Sequence, residues 1–298
     1  MSGASPGEPR RARARSRDGT ELAVEAYGSG DGVPVLLVDA VGAARAVWRP
    51  VRARLARRHV VLAWDLRGLF ASGPPAAGRV DPAAQADDAL AVLDHFGVHR
   101  AAVVSWGNGA RVALELASGH PGRVDSLALV CGGYARPIVR LVRYLEPASV
   151  LPGLAGIAKH FPRAVGAALG AATARPELAG LIRQSGIVGA TADTGTLVEL
   201  VRGLASCDPR VLLETYEAVS SHAPASSLAR VAAPTLLVAG ERDAFTSRRA
   251  TDDLARAIPG ARVVVYPGTT HYLPIEAPDR LADDLHDWFT TRGDPVRP

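Results

Sequence analysis

The chain has 298 residues, 48% of them hydrophobic and 21% charged, which is enough to bury a large core as one α/β domain or as a domain with an insertion. The formal net charge is +4, and the five arginines and one glutamate of residues 1–17 account for all of it, so the remainder is formally neutral. This short basic run has no interleaved aromatic residues, which argues against nucleic acid as a partner. We expect residues 1–18 to form a disordered, solvated arginine-rich tail.

The cysteines and the apolar runs narrow the class of protein further. Cys131 and Cys207 are far apart and lack metal-ligand spacing, so we expect no disulfide framework and no metal site. No run reaches the roughly 18 apolar residues of a membrane span, and Arg10-Arg11 is not followed by the apolar segment of a secretory signal. The sequence predicts a cytoplasmic protein without a membrane partner, and Cys131 as a buried structural thiol. The oligomeric state is not indicated.

The first third of the chain alternates between strand and helix patterns. Alternating side chains predict a strand over Glu21–Tyr27, and continuous apolar runs predict buried strands over residues 34–38 and 59–65. A helical pattern covers residues 48–57. Asp81 has the position of an N-cap for a second helix that ends at Gly97.

The rest of the chain changes character twice. After a strand over residues 101–106 and its helix, residues 124–130 supply one more strand, and residues 134–229 then show only helical patterns separated by Pro and Gly. We interpret that stretch as an inserted helical lid. The alternation then resumes with a strand at 234–240, a helix at 249–258, a strand at 262–266 and a helix at 279–288.

The junction at Gly107 is where a strand meets a helix with almost no loop. Turns of this kind present a catalytic nucleophile, and they need small residues two positions before and after the turn residue. Centring the turn on Gly107 places Ser105 and Gly109 there. Centring the turn on Ser105 would place Val103 at one of these two positions, and centring it on Asn108 would place Trp106 there. Both alternatives put a bulky side chain where a small one is needed. Gly107 is therefore identified as the turn residue, and it has no side chain.

Several motifs stand at characteristic points along the predicted sheet. They are Asp39-Ala40-Val41-Gly42 after a buried strand, Asp65-Leu66-Arg67-Gly68, the turn at Gly107, His120-Pro121, Gly240-Glu241-Arg242-Asp243, and Gly268-Thr269-Thr270-His271. Together they resemble the α/β-hydrolase family over residues 20–292.

The resemblance implies an α/β-hydrolase fold, with a mostly parallel central sheet flanked by helices. Residues 19–134 and 230–298 would form the core, and residues 135–229 a helical cap inserted before the late strands. By position, the resemblance implies Asp243 as the catalytic acid and His271 as the base. The backbone N–H groups of Val41 and Asn108 would be the oxyanion donors.

The departures from the family pattern decide the functional hypothesis. Gly107 stands where the family has its nucleophilic serine, and glycine cannot form an acyl-enzyme, which excludes conventional serine hydrolysis. We expect a cofactor-independent, non-hydrolytic enzyme in which His271, oriented by Asp243, moves a proton on a small organic substrate in an elimination, isomerisation or cyclisation. The substrate pocket is predicted to include Asp39, Ala40, Phe70, Ser105 and Trp106.

Two alternatives remain open. The chain could be a catalytically inactive relative that binds a ligand or a partner. It could also be a hydrolase in which His271 activates water directly.

Overall fold

An eight-stranded sheet runs through the computed structural model, which describes residues 8–43, 45–133, 180, 184, 186–222 and 228–291. Its strands are β1 (Arg10–Arg15), β2 (Glu21–Tyr27), β3 (Gly32–Val38), β4 (His59–Trp64), β5 (Ala101–Trp106), β6 (Val124–Val130), β7 (Thr235–Gly240) and β8 (Arg262–Tyr266). Their order across the sheet is β1-β2-β4-β3-β5-β6-β7-β8. Every neighbouring pair from β4 to β8 is parallel, and only β2 runs against its neighbours β1 and β4. The predicted mostly parallel sheet is confirmed.

Helices cover both faces of this sheet. They are α1 (Arg49–Leu55), α2 (Pro82–His95), α3 (Ala110–Gly119), α4 (Thr194–Ser206), α5 (Pro209–Ser221), α6 (Arg248–Ala257), α7 (Leu273–Glu276) and α8 (Pro278–Thr291). Buried side chains of α2, α3 and α6 pack on one face, and those of α1, α7 and α8 pack on the other. Because successive side chains of a strand point to opposite faces, each strand contributes residues to both of these apolar layers.

Local signals in the sequence explain where these elements begin and end. The Asp81 carboxylate accepts the Ala84 N–H at 3.0 Å, so the predicted N-cap of α2 is confirmed. The helix ends at His95, and Gly97 follows with a φ of +67° that a glycine adopts without strain.

The expectation of a disordered tail over residues 1–18 is wrong for Arg10–Arg15, which form β1. This strand pairs antiparallel with β2, from Arg10 opposite Ala26 to Arg15 opposite Glu21. Its arginines alternate with small residues that turn toward the core, and Ala14 is buried. Asp18-Gly19 closes the hairpin, with Gly19 at a φ of +92°. The period of two and the Asp-Gly turn are ordinary hairpin signals, which the concentration of charge obscured.

The lid is described only in part. Residues 186–222 hold α4 and α5 and, within that range, no strand. Residues 134–179 lie outside the described part, so the cap boundaries at 135 and 229 stay a prediction. None of the helices that can be described is both long enough and apolar enough to cross a membrane.

Candidate active site

Gly107 occupies the sharp turn between β5 and α3. Its φ is +55°, in the left-handed region that other residues reach only with strain. A Cβ added at Gly107 would lie 3.1 Å from His271 Nε2 and 3.4 Å from the Ala40 Cβ. The turn therefore points its residue toward the imidazole, as the assignment of Gly107 to the nucleophile position requires. At Gly109 an added Cβ would lie 2.5 Å from the Asp39 backbone oxygen, which explains the need for a glycine there.

His271 and Asp243 form a hydrogen-bonded pair. The distance from His271 Nδ1 to Asp243 Oδ2 is 2.9 Å, and the Asp243 side chain is 1% exposed. Its other oxygen, Oδ1, accepts the N–H groups of Phe245 and Thr246 at 2.7 and 2.8 Å. With Nδ1–H donated to the carboxylate, the neutral imidazole keeps its lone pair on Nε2, which faces Gly107. This arrangement suits a general base.

Two further contacts fix the loop that carries His271. The Trp106 indole donates its Nε1–H to the His271 backbone oxygen at 2.8 Å. The buried Glu276 carboxylate accepts the Thr270 N–H at 2.7 Å and the Gly189 N–H at 2.7 Å, so it joins this loop to the lid segment. Sequence reasoning did not assign Glu276 a role, although it lies only five residues beyond the histidine.

The predicted oxyanion donors are not both available. The Val41 N–H already donates to the Asn108 side-chain oxygen Oδ1 at 2.9 Å. The prediction of two backbone donors facing the reaction centre is therefore wrong for Val41 as the site stands, because the carboxamide of Asn108 takes up that N–H. No sequence pattern signals this bond between residues 67 positions apart.

A cavity of about 350 Å³ opens beside His271. Its described lining is largely apolar and comes from the loop after β3, the turn after β5, the lid helices α4 and α5, and the loops that carry Phe245 and His271. Burial, with a contribution from Asp243, raises the pKa of Tyr272 in this wall to about 12, so its hydroxyl stays protonated and able to donate. Two of the predicted pocket residues, Ala40 and Trp106, line this cavity.

Ser105 and Phe70 do not line this cavity, and the prediction is wrong for both. Successive side chains of a strand point to opposite faces, so with Trp106 on the cavity side Ser105 lies on the other face. Ser105 is fully buried there, beside α3, as the small residue that close packing needs. Phe70 has a φ of +51° and packs against the same apolar layer as α2 and α3.

Asp39 is also absent from the cavity wall, because it is buried below the loop after β3. The residue is 5% exposed, and burial, with a contribution from Asp65, raises the pKa of the carboxyl well above its usual range. The loop itself is held by Arg45, whose Nη2 donates to Asp65 Oδ2 at 3.1 Å and whose Nη1 lies 3.0 Å from Glu25. This anchor fixes the backbone that presents Val41.

Cys131 lies close to His271 and Asp243, but its thiol is buried away from the described cavity. The Cys131 sulfur, one carboxylate oxygen of Asp243 and one ring nitrogen of His271 all lie within 4.8 Å of one another. The thiol is 1% exposed, sits 3.7 Å from the Thr270 oxygen, and does not line the described cavity. Burial and then Asp243 raise its pKa well above the usual range, which opposes thiolate formation. A metal held by these three groups would have to displace the hydrogen bonds of Asp243.

Arg111 on α3 anchors the lid helix α5 to the core, a role that sequence reasoning missed. One nitrogen of the buried guanidinium, Nη1, lies 3.0, 2.6 and 2.7 Å from the backbone oxygens of Val219, Ser220 and His222, so its two hydrogens are shared among three acceptors. These are carbonyls at the C-terminal end of α5, where a positive charge also complements the helix dipole. Arg111 thereby positions the part of the cavity wall that α5 supplies.

The comparisons agree with this architecture. Residues 33–278 match the family described as alpha/beta hydrolase fold. A relative from Azorhizobium caulinodans, provisionally named carbamate hydrolase RutD, is 30% identical over 250 residues, which are 84% of this chain and 88% of the relative. A relative of the same name from Caulobacter sp. (strain K31) is 32% identical over 146 residues, which span only 53% of its length.

Solved structures show the same fold. The esterase RhEst1 from Rhodococcus sp. ECU1013 superposes with a TM-score of 0.74 at 24% identity, over 95% of this chain and 99% of that chain. The enol-lactonase from Burkholderia xenovorans LB400 gives a TM-score of 0.73 at 21% identity, over 94% and 100%. With the match over most of its length, the aligned relative and the strand order described above, this chain belongs to the α/β-hydrolase fold family.

Proposed function

We propose that this protein is a cofactor-independent, non-hydrolytic enzyme in which His271 acts as a general base on a small organic molecule. The observation that carries the proposal is the setting of the imidazole: Asp243 holds Nδ1 at 2.9 Å, and Nε2 faces Gly107, which offers no hydroxyl. In a serine hydrolase that nitrogen would take the proton of the nucleophile. Here it is free to take a proton from a bound substrate.

The chemistry follows from this pair and from the walls around it. Nε2 accepts a proton from a carbon or a hydroxyl of the substrate, and Asp243 stabilises the imidazolium that results. Returning the proton to another atom gives an isomerisation or a cyclisation, and delivering it to a departing hydroxyl gives an elimination with loss of water. A positioned base of this kind contributes on the order of 10²–10⁴ in rate.

The cavity supports a substrate that is small and mainly apolar. Its volume of about 350 Å³ lies at the small end of the range for ligand sites. Leu204 and Leu212 from the lid form part of the wall, and the ring centroids of Trp106 and Phe245 lie 5.3 and 4.9 Å from that of His271. Such walls favour burial of a hydrocarbon body next to one reactive polar group.

A second candidate is hydrolysis by water that His271 activates directly. The names of the relatives favour it, since two of them are provisionally called carbamate hydrolases. The space that a serine side chain would occupy above Gly107 lies next to Nε2 and would accept a water molecule as the nucleophile.

One experiment separates these candidates. The protein is incubated in H₂¹⁸O with a panel of aryl esters, carbamates and β-hydroxy ketones, and the products are analysed by mass spectrometry. The proposal expects dehydrated or rearranged products without ¹⁸O, with rates that fall at least about 10²-fold in His271→Ala and in Asp243→Asn. His120→Ala, which changes an exposed histidine far from the cavity, is the matched control and should keep full activity.

The other outcomes are equally decisive. Products that carry ¹⁸O and depend on His271 would assign the protein to the water-activated hydrolases. Saturable binding of panel members without turnover, unchanged in His271→Ala, would make it a binding protein and overturn both enzymatic assignments.

A further inference from the structure

Asn108 interacts with the loop after β3 through its side chain. Its Oδ1 accepts the Val41 N–H at 2.9 Å, a normal length for such a bond. The backbone N–H can only donate, so the atom that meets it must be the carboxamide oxygen and not the nitrogen. The orientation of the carboxamide is therefore fixed by chemistry.

This bond matters because of where an oxyanion would sit. Oxyanion holes stabilise a negative oxygen with donors at 2.7–3.1 Å, and losing one donor typically costs about 10²–10³ in rate. In this chain Oδ1 already occupies the acceptor position in front of the Val41 N–H. A developing oxyanion would have to displace a neutral carboxamide oxygen before it gained that donor.

The same orientation leaves both hydrogens of Nδ2 unused by the bond to Val41. Both Asn108 and Val41 line the cavity, and among the described residues Nδ2 has no hydrogen-bond partner. No described residue of the cavity wall is an arginine, lysine, aspartate or glutamate. Among the described residues, the wall therefore offers the neutral N–H₂ donor of Asn108 and the imidazole of His271, but no arginine or lysine to pair with an anionic ligand.

We propose that Asn108 closes the oxyanion hole and presents its Nδ2–H₂ group in place of the blocked donor. The site then recognises a carbonyl oxygen attached to an apolar body through this neutral donor, and the Val41 N–H is not available to that oxygen. This inference goes beyond the general-base proposal, because it holds whether or not His271 transfers a proton.

Two variants separate the roles of the two side-chain atoms. Asn108→Asp keeps the oxygen acceptor for Val41 and removes the donor, and Asn108→Leu removes both at similar volume. Amide hydrogen exchange measured by NMR should show the Val41 N–H protected in the wild type and in Asn108→Asp. In Asn108→Leu, or in Asn108→Ala if the leucine variant does not fold, it should exchange at least about tenfold faster, with the Val104 amide in β5 as an unchanged reference. Equal Val41 exchange in all proteins would overturn the proposal.

The ligand half of the proposal uses acetophenone and benzoate as probes. Acetophenone, a neutral aryl ketone, should shift the Asn108 side-chain N–H₂ signals of the wild type, and its affinity should fall at least about tenfold in both Asn108→Asp and Asn108→Leu. Benzoate should bind more weakly than acetophenone. Tighter binding of benzoate, no acetophenone binding to the wild type, or unchanged acetophenone affinity in the two variants would each contradict the assignment.

Restoring a serine nucleophile at position 107 gives an independent test of whether Asn108 blocks the Val41 N–H. Fluorophosphonate labelling of Gly107→Ser should be slow, and labelling of Gly107→Ser with Asn108→Ala should be about 10²-fold faster, because Val41 is then free to donate. Labelling of the single variant that is as fast as that of the double variant would refute a closed hole. Failure of both to label counts against His271 as the base, and the exchange of Val41 then decides the role of Asn108 alone.

Discussion

Replacing Arg111 by methionine should release the lid helix α5 from the core. The substitution keeps an apolar stem of similar length but removes the guanidinium that donates to the Val219, Ser220 and His222 oxygens at 3.0, 2.6 and 2.7 Å. A charged hydrogen bond is worth about 1.5–3 kcal/mol, the two hydrogens of Nη1 make about two such bonds, and part of that loss is recovered when water reaches the freed carbonyls. Adding the lost helix-dipole interaction, we expect a net cost of about 2–5 kcal/mol.

The assay is hydrogen exchange across α5, followed by urea unfolding of the whole chain. A loss of 2 kcal/mol or more in the local opening free energy corresponds to exchange that is about 30-fold faster, since about 1.4 kcal/mol is a factor of ten. Arg210→Met is the matched control, because Arg210 lies on the same helix in an exposed pair with Glu214, and it should cost less than about 0.5 kcal/mol. If Arg111→Met speeds exchange in α5 no more than Arg210→Met does, the anchoring role is refuted.

Three further substitutions test other parts of the site and fold. Gly107→Ala should lower the free energy of unfolding by about 1–3 kcal/mol in urea titrations, because the φ of +55° strains any other residue, and an unchanged midpoint would contradict the strained turn. Glu276→Gln keeps its shape but loses the charge that holds the Thr270 and Gly189 N–H groups at 2.7 Å, so it should destabilise the fold by about 1–3 kcal/mol, against less than 0.5 for the exposed Glu214→Gln. Burial lowers the pKa of His59 below its ordinary 6.5, so on acidification the unfolded chain binds the proton first and stability falls as the pH drops below about 6.5. His59→Phe should flatten that part of the pH profile of urea midpoints, and an identical slope would show that another group causes it.

Much of the fold could be predicted because its signals are local. Continuous apolar runs gave the buried strands, and the Asp81 carboxylate capped α2 where its position in the sequence required. The Arg10–Arg15 strand was missed because its charge was weighed above its alternation, although small residues at every second position already indicated a half-buried strand. Net charge does not show whether a segment is ordered. The alternation of its side chains is the better indicator.

The part of the site that belongs to sequence motifs could be predicted. The resemblance to the family implied that His271 and Asp243 form a pair, and the structure places them at hydrogen-bond distance. Ser105 could have been removed from the pocket by the sequence alone, since two consecutive residues of a strand cannot both face one cavity if Trp106 does. The bond between Val41 and Asn108 could not be foreseen, because it depends on how closely two loops approach and on one side-chain rotamer.

The hairpin at the start of the described chain also governs how the sheet behaves toward other copies of itself. Among the described strands β1 lies at one edge of the sheet, and the side chains of Arg11 and Arg15 are 75% and 73% exposed there. If the β1 strands of two molecules approached each other, their arginine side chains would come together before the backbones could pair. This repulsion between like charges opposes edge-to-edge aggregation. A chain shortened to begin at residue 19 would instead uncover β2, whose Leu22 and Val24 are now fully covered. We therefore expect a chain that lacks the arginine strand to aggregate more readily than the full chain.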